Sequence, residues 1–232
     1  MKQKETLLNT VGIKLDQSVD DIGDEHVGTS HHTPLRSDAF DMDDKRKIEL
    51  IEKHFREIML VLGLDLNDDS LKGTPKRVAK MYINEVFSGL DPANMPEVKL
   101  FKNKYKYNEM LVEKDITLFS HCEHHFVPIH GKAHVGYISN GFVIGLSKIN
   151  RIVQYFAARP QVQERLTMQI GHAMTKILGT EDVAVIIDAH HMCVSSRGVR
   201  DVNSNTVTSF YGGKFEHDEQ SRIEFLQYLT LG

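Results

Sequence analysis

The stretch MLVEKDITLFSHCEHHFVPIHGKAHVGYIS, Met110–Ser139, decides how the chain is read. Its flanks are rich in β-branched and aromatic residues and bracket a polar turn, the pattern of two strands joined by a loop. Met110–Phe119 is predicted as one strand and Lys132–Ser139 as the next. The turn holds Cys122, Glu123, His124 and His125. Cys122 and His125 stand in a Cys-x-x-His arrangement, which lets a thiolate and an imidazole reach one cation from a single tight turn. Spacing alone does not decide between His124 and His125; turn geometry favours His125 as the ligand.

A second cluster, DAHHMCV from Asp188 to Val194, supplies the only other cysteine, Cys193. VAVIID, Val183–Asp188, reads as a buried strand leading into it. If that strand continues, alternation puts His191 and Cys193 on one face and His190 on the other. Two cysteines in 232 residues rule out a four-cysteine structural site. Cys122, His125 and Cys193 give three ligands with a fourth corner open, as in catalytic zinc sites, where the ion lowers the pKa of bound water to about 7. A disulfide between the two cysteines is disfavoured, because the chain shows no secretory signal and is otherwise poor in cysteine. Inert buried thiols are the other alternative, and the histidines crowding both cysteines count against it.

Outward from these clusters, Gly141–Ser147 is predicted as a third strand, joined to the second by a hairpin turn at Ser139, Asn140 and Gly141. Two helices follow. The first runs from Ser147 through Ala158, with Ile149, Ile152, Val153 and Phe156 on one face; the second runs from Pro160 through Leu178, with Val162, Leu166, Ile170 and Met174. Pro160 separates them by disfavouring helix at Arg159. TVTSFYGG, Thr206–Gly213, reads as a further strand, and a terminal helix spans Glu219 to Leu229. Strands, then two helices, then strands indicate an α+β fold with a mainly antiparallel sheet. Upstream, Ile48, Ile51, Phe55, Ile58 or Met59, and Leu62 mark an amphipathic helix ended by Gly63. A second helix starts at Thr74 as N-cap, with Pro75 at its first position and Gly89 as its stop.

Basic residues stand where an anion is expected. Lys148 and Arg151 lie on the first turn of the helix opened by Ser147, where free backbone N–H groups also point. Arg197 and Arg200 follow Cys193 closely, and Arg77 lies early in the second helix. Gln163 and Glu164 open the helix before Leu178, where glutamate also suits the helix dipole. Neither a P-loop nor a Gly-x-Gly-x-x-Gly turn occurs, so a nucleotide here is held by side chains and a helix terminus.

Composition sets the outer limits. A mass of 26.4 kDa, 41% hydrophobic residues and a pI near 6.3 fit a globular protein with no general basic field, so no nucleic-acid partner is expected. The longest apolar runs, such as Ile58–Leu64, fall short of the roughly 20 residues of a membrane span, so no membrane partner is expected and the protein is predicted to be soluble and cytoplasmic. Residues 1–41 hold eight Asp/Glu, four Lys/Arg and one aromatic, Phe40, and are predicted to be a flexible polar extension. The histidines there, His26, His31 and His32, read as solvated. Residues 42–105 are predicted to form a helical region and 106–232 the catalytic domain.

CEHHFVPIHGKAHVGYI, VIGLSKINRIVQYFAARPQVQERLT and the stretch Asp188–Asp201 resemble GTP cyclohydrolase I, and the likeness runs from about Met42 to the C-terminus. The resemblance implies the tunnelling fold (T-fold), in which subunit sheets join into a barrel, and a homodecamer of two pentamers with active sites at subunit interfaces. It also implies the reaction: GTP and water give 7,8-dihydroneopterin triphosphate and formate, the first step of pterin and folate biosynthesis. By motif position, Cys122, His125 and Cys193 match the Zn2+ ligands. His124 and His191 match the acid/base pair, and Ser147 the residue near the ribose. Glu164, with Gln163 beside it, matches the guanine-recognising residue. Lys148, Arg151 and Arg197 match the triphosphate cradle, with Arg77 supplied by a neighbouring subunit. His190 is a departure from the pattern. Two other readings differ in what they predict: another T-fold enzyme would lack the two-cysteine zinc set, and a zinc-stabilised nucleic-acid module would bind in a salt-sensitive way.

Overall fold

The computed structural model describes residues 30–231, of which 31–231 fall in one compact unit. His26 and most of the predicted extension lie outside the described residues. Of that extension, Leu35, Ala39 and Phe40 line an apolar cavity of about 470 Å3 against the first helix. Lys47 lies over the Phe40 ring at 5.7 Å.

Helix α1, Asp44–Val61, starts where Asp43 accepts from the Arg46 N–H at 2.8 Å, and ends at Gly63 with φ +80°. Of the alternatives Ile58 and Met59, the structure buries Met59 at 3% exposure, whereas Val61 is 87% exposed. Helix α2 is shorter than predicted, Thr74–Met81 with Gly73 as N-cap, and it passes into a π turn at Tyr82–Val86 and a 3₁₀ turn at Ser88–Leu90. Gly89 is therefore not a helix stop. Its N–H donates to Ala158 O at 2.9 Å, and a Cβ there would meet Tyr155 O at 1.9 Å, so close backbone approach demands glycine.

Strand β1, Leu100–Lys102, precedes the long pair β2, Met110–Cys122, and β3, Pro128–Ile138, which are antiparallel as expected. The pairing slips between Glu113 and Ile116, where Asp115 takes φ +58° and its N–H donates to His134 Nδ1 at 3.1 Å. The predicted third strand shrinks to β4, Phe142–Ile144, which leaves the main sheet to pair with β1. The Ser-Asn-Gly signal foretold the turn but not the partner.

Helix α3 spans Leu146–Ala157, so Gly145 is its N-cap and Ser147 lies inside its first turn, one residue after the helix begins. Pro160 does not begin the next helix: Pro160–Gln161 is β5, parallel to His121–Cys122, and α4 runs Gln163–Leu178. Strand β6, Val183–His191, and β7, Thr206–Tyr211, complete a five-stranded sheet in the order β5-β2-β3-β6-β7. A last helix, α5, covers Glu219–Thr230.

Alternation along β6 builds the two sides of the sheet. Val183, Val185, Ile187 and Ala189 pack with Ile149, Ile152 and Val153 of α3 and Leu166, Ile170 and Met174 of α4. Ala184 and Ile186 face the opposite way, into a smaller cluster with Phe215 and Phe225 of the C-terminal region. The result is a mixed α+β fold with both consecutive helices on one side.

Candidate metal centre

The β2–β3 loop closes tightly: the Cys122 N–H donates to Val127 O at 2.9 Å and the Phe126 N–H to Cys122 O at 2.8 Å. Phe126 takes φ +54°, uncommon for a bulky residue. Its ring is held by Phe87 at 5.1 Å and Tyr82 at 6.5 Å, so aromatic packing opposes the local strain. Cys122, ending β2, is buried, and His125 at the loop's far side is exposed.

Cys193 arrives by a different route from the predicted one. The strand ends at His191, and Met192–Ser195 forms a helical turn. That turn, not strand alternation, brings Cys193 to the loop. The ligand atoms of Cys122, His125 and Cys193 all lie within 4.8 Å of one another. Donors around a tetrahedral zinc ion, with bonds of about 2.3 Å to sulfur and 2.0 Å to nitrogen, stand roughly 3.5–3.8 Å apart, so the set closes with small shifts. Two sulfurs and an imidazole suit a borderline-soft divalent cation. Burial, reinforced by the Cys122 sulfur, pushes the Cys193 thiol up to about 11. A dication there would reverse that balance at Cys193 by displacing its proton.

The neighbouring groups follow. His124 Nδ1 is 3.8 Å from Cys122 Sγ. Arg197 Nη1 donates to His125 Nε2 at 2.9 Å, which puts a guanidinium at the edge of the donor set. His191 Nε2 lies 2.7 Å from Gln163 Oε1. Gln163 Nε2 is already directed at Ile187 O, Thr206 O and Thr208 Oγ1, at 3.1, 2.8 and 3.1 Å. The amide oxygen must therefore accept, His191 Nε2 carries the proton, and Nδ1 is the basic atom. Gln163 is buried, with its amide committed behind the imidazole. Burial holds the His191 pKa below its ordinary value, with Glu164 pulling the other way. Glu164 itself is exposed beside it on the first turn of α4. His190 faces away, stacked on His130 at 5.5 Å, with Nδ1 3.1 Å from Ser204 O.

Four predicted residues stand apart. Among the described residues no hydrogen bond or ion pair joins Ser147, Lys148, Arg151 or Arg77 to the three-donor group. Arg151 lines a cavity with Glu85, Asn94 and Tyr155. The Arg77 guanidinium folds over Gly73, 3.5 Å from where a Cβ there would lie. Arg200 is exposed, with φ +56°.

Sequence reasoning missed one pair. Arg165, 3% exposed in its side chain, donates to both carboxylate oxygens of Glu123 at 2.5 and 3.3 Å. The available signal was an acidic residue inside the Cys-x-x-His turn, which needs a cationic partner once its carboxylate is largely covered.

A family model described as GTP cyclohydrolase I matches residues 51–230. The GTP cyclohydrolase 1 of Flavobacterium johnsoniae is 60% identical over 213 residues, 92% of this chain and 95% of that protein. That of Erwinia tasmaniensis is 57% identical over 201 residues, 87% of this chain and 91% of that protein. That of Citrobacter koseri is likewise 57% identical over 201 residues, 87% and 90% of the two chains.

Proposed function

The chain belongs to the GTP cyclohydrolase I family, and on that premise we propose that it opens the imidazole ring of GTP by hydrolysis, releases carbon 8 as formate and rearranges the remainder to 7,8-dihydroneopterin triphosphate. The observation that carries this reading is the convergence of Cys122, His125 and Cys193 within 4.8 Å, in a chain whose His191–Gln163 pair adjoins Glu164.

Cys122, His125 and Cys193 hold Zn2+, which supplies a Lewis acid and lowers the pKa of water to about 7. Glu164, exposed on the first turn of α4, accepts from the ring N–H and amino group of guanine. His191, its Nε2–H fixed by Gln163, presents Nδ1 to give and take the proton at guanine nitrogen 7. Burial lowers the pKa of that imidazole while Glu164 pulls the other way, and an ordinary histidine value of about 6.5 lets the group both take and give a proton near neutrality. His124, beside Cys122, is the second acid/base group. Ring opening adds one water across the C8–N bond; a second releases formate, and sugar rearrangement with ring closure returns one water, so the sum consumes one. Arg197 binds the triphosphate from this chain. Ser147, Lys148, Arg151 and Arg77 serve the ribose and phosphates of a site on a neighbouring subunit.

That division requires an assembly. We assign the T-fold, with five sheets joined edge to edge into a barrel and two such pentamers forming a homodecamer. The open edges at β5 and β7 and the exposed apolar end of α1 at Val61 and Leu62 support it. Two free cysteines that must stay reduced support a cytoplasmic setting. Among the described residues, no helix is long and apolar enough to cross a membrane.

The test is incubation of metal-loaded, oligomeric protein with GTP while formate and the ultraviolet absorbance of the pterin are followed. Formate released in step with the pterin is the expected result. Absence of formate overturns the proposal.

A further inference from the structure

We infer that Glu123 and Arg165 are positioning residues whose part-buried ion pair fixes the metal loop against the helix carrying Gln163 and Glu164, and so sets where the guanine ring lies relative to the metal. The inference rests on the functional reading above and extends it to two residues outside the ligand and substrate sets.

The geometry is specific. Glu123 follows the ligand Cys122 and precedes His124, in the middle of the loop. Arg165 follows Glu164 on the first turn of α4. Its guanidinium meets both carboxylate oxygens, the two-pronged contact that fixes direction as well as distance. The backbone reinforces the register, because the Glu123 N–H donates to Gln161 O at 3.0 Å and Cys122 pairs with Gln161 of β5. Phe126 anchors the loop's other side in the Phe87–Tyr82 cluster. The loop is thus pinned on one side by aromatic packing and on the other by the Glu123–Arg165 contact. Only the second pin reaches the helix that holds the guanine-binding carboxylate and the residue that orients His191.

Such a pin has a distinct kinetic signature. Misplacing a reacting group by about 1 Å lowers the chemical step by roughly 10²-fold while binding survives. A brace needed only to hold the loop folded would instead lose metal and activity in parallel.

Glu123→Gln alone sets a neutral amide against a buried guanidinium and endangers the fold, so the decisive protein is the full-length double variant Glu123→Gln/Arg165→Met, compared with Arg165→Lys and the parent. Three quantities are measured: zinc bound per chain, kcat and KM for GTP, and the visible spectrum of the cobalt(II)-loaded proteins, which responds to ligand geometry. The expected result is unchanged zinc content, KM within about threefold, kcat lowered by about 10²-fold, an altered cobalt spectrum, and partial recovery of kcat and spectrum in Arg165→Lys. Zinc loss in proportion to kcat, a rise in KM with unchanged kcat, or kcat and spectrum equal to the parent's would each overturn the inference. A parent that binds zinc but releases no formate defeats the functional reading instead, and the cobalt spectra still decide whether the pair sets the loop's geometry.

Discussion

The loop carrying Cys122 and His125 and the helix carrying Ser147, Lys148 and Arg151 belong to one expected chemistry, yet the fold treats them in opposite ways. Around the loop, the described chain itself supplies partners: Cys193 from the turn after β6, Arg197 beyond it, and Arg165 from α4. Arg151 of α3 instead lines a cavity with Glu85 and Asn94, away from the donor set. The contrast teaches that a metal donor set, which needs three atoms within a few ångströms, is within reach of one chain's topology. A cradle for a long, flexible triphosphate is a larger object, and we propose that two chains build it.

The largest effect expected is at the loop. Cys193→Ser should remove metal and turnover together, with a loss of metal affinity exceeding the roughly 10–100-fold typical of changes behind a ligand. Elemental analysis alongside formate release checks it; full metal with full turnover would break the loop side of the comparison. His191→Ala should keep the metal and lower kcat by about 10²–10⁴-fold, measured under saturating GTP. Glu164→Gln should weaken GTP binding by roughly 10–100-fold, the range set by about 1.5–3 kcal/mol for a hydrogen bond to a charged group. Titration with GTP at low temperature checks that value, and unchanged affinity removes Glu164 from guanine recognition.

The α3 side yields a sharper test through mixing. Arg151→Ala should raise KM by about tenfold in a salt-dependent way. Co-assembled with Cys122→Ala chains, it should recover part of the lost activity, since some interfaces then pair an intact loop with an intact α3. Equal activity before and after mixing would place both regions in one chain's site.

The smallest effect concerns acid stability. Burial holds His121, His134 and His191 below the usual histidine range. For each, the unfolded chain binds the proton more readily than the folded one, so stability is full above about pH 6.5 and is lost as pH falls below it. Thermal melting of metal-free protein across that range should show the melting temperature dropping on acidification; a rise would contradict the burial argument.

Legibility in the sequence followed distance along the chain. Helix α4 was readable from Leu166, Ile170 and Met174 because a helix's face repeats every turn, and β2, β3 and β6 were readable for the same local reason. The partner of β4 was not, because the choice of β1 over β3 is a long-range pairing that no turn residue encodes. Pro160 was seen as a break, but its parallel pairing with His121 depends on where β2 lies in space. At the site, the Cys-x-x-His turn marked Cys122, while spacing alone left His124 and His125 open and turn geometry favoured His125. Cys193 was identified as the only other cysteine, but a helical turn and not the continued strand delivers it.

The sequence by itself determined the chemistry on offer: two thiols and several imidazoles in two short clusters, strands to carry them, and family membership written in long motifs. Residue identity and short-range periodicity are enough for that. Tertiary structure alone decided that Gln163 backs His191 and that Arg165 grips Glu123. Those contacts span 28 and 42 residues of chain. Their geometry exists only once the sheet and α4 have packed, because hydrogen bonds and buried ion pairs are set by positions in space that no local pattern specifies.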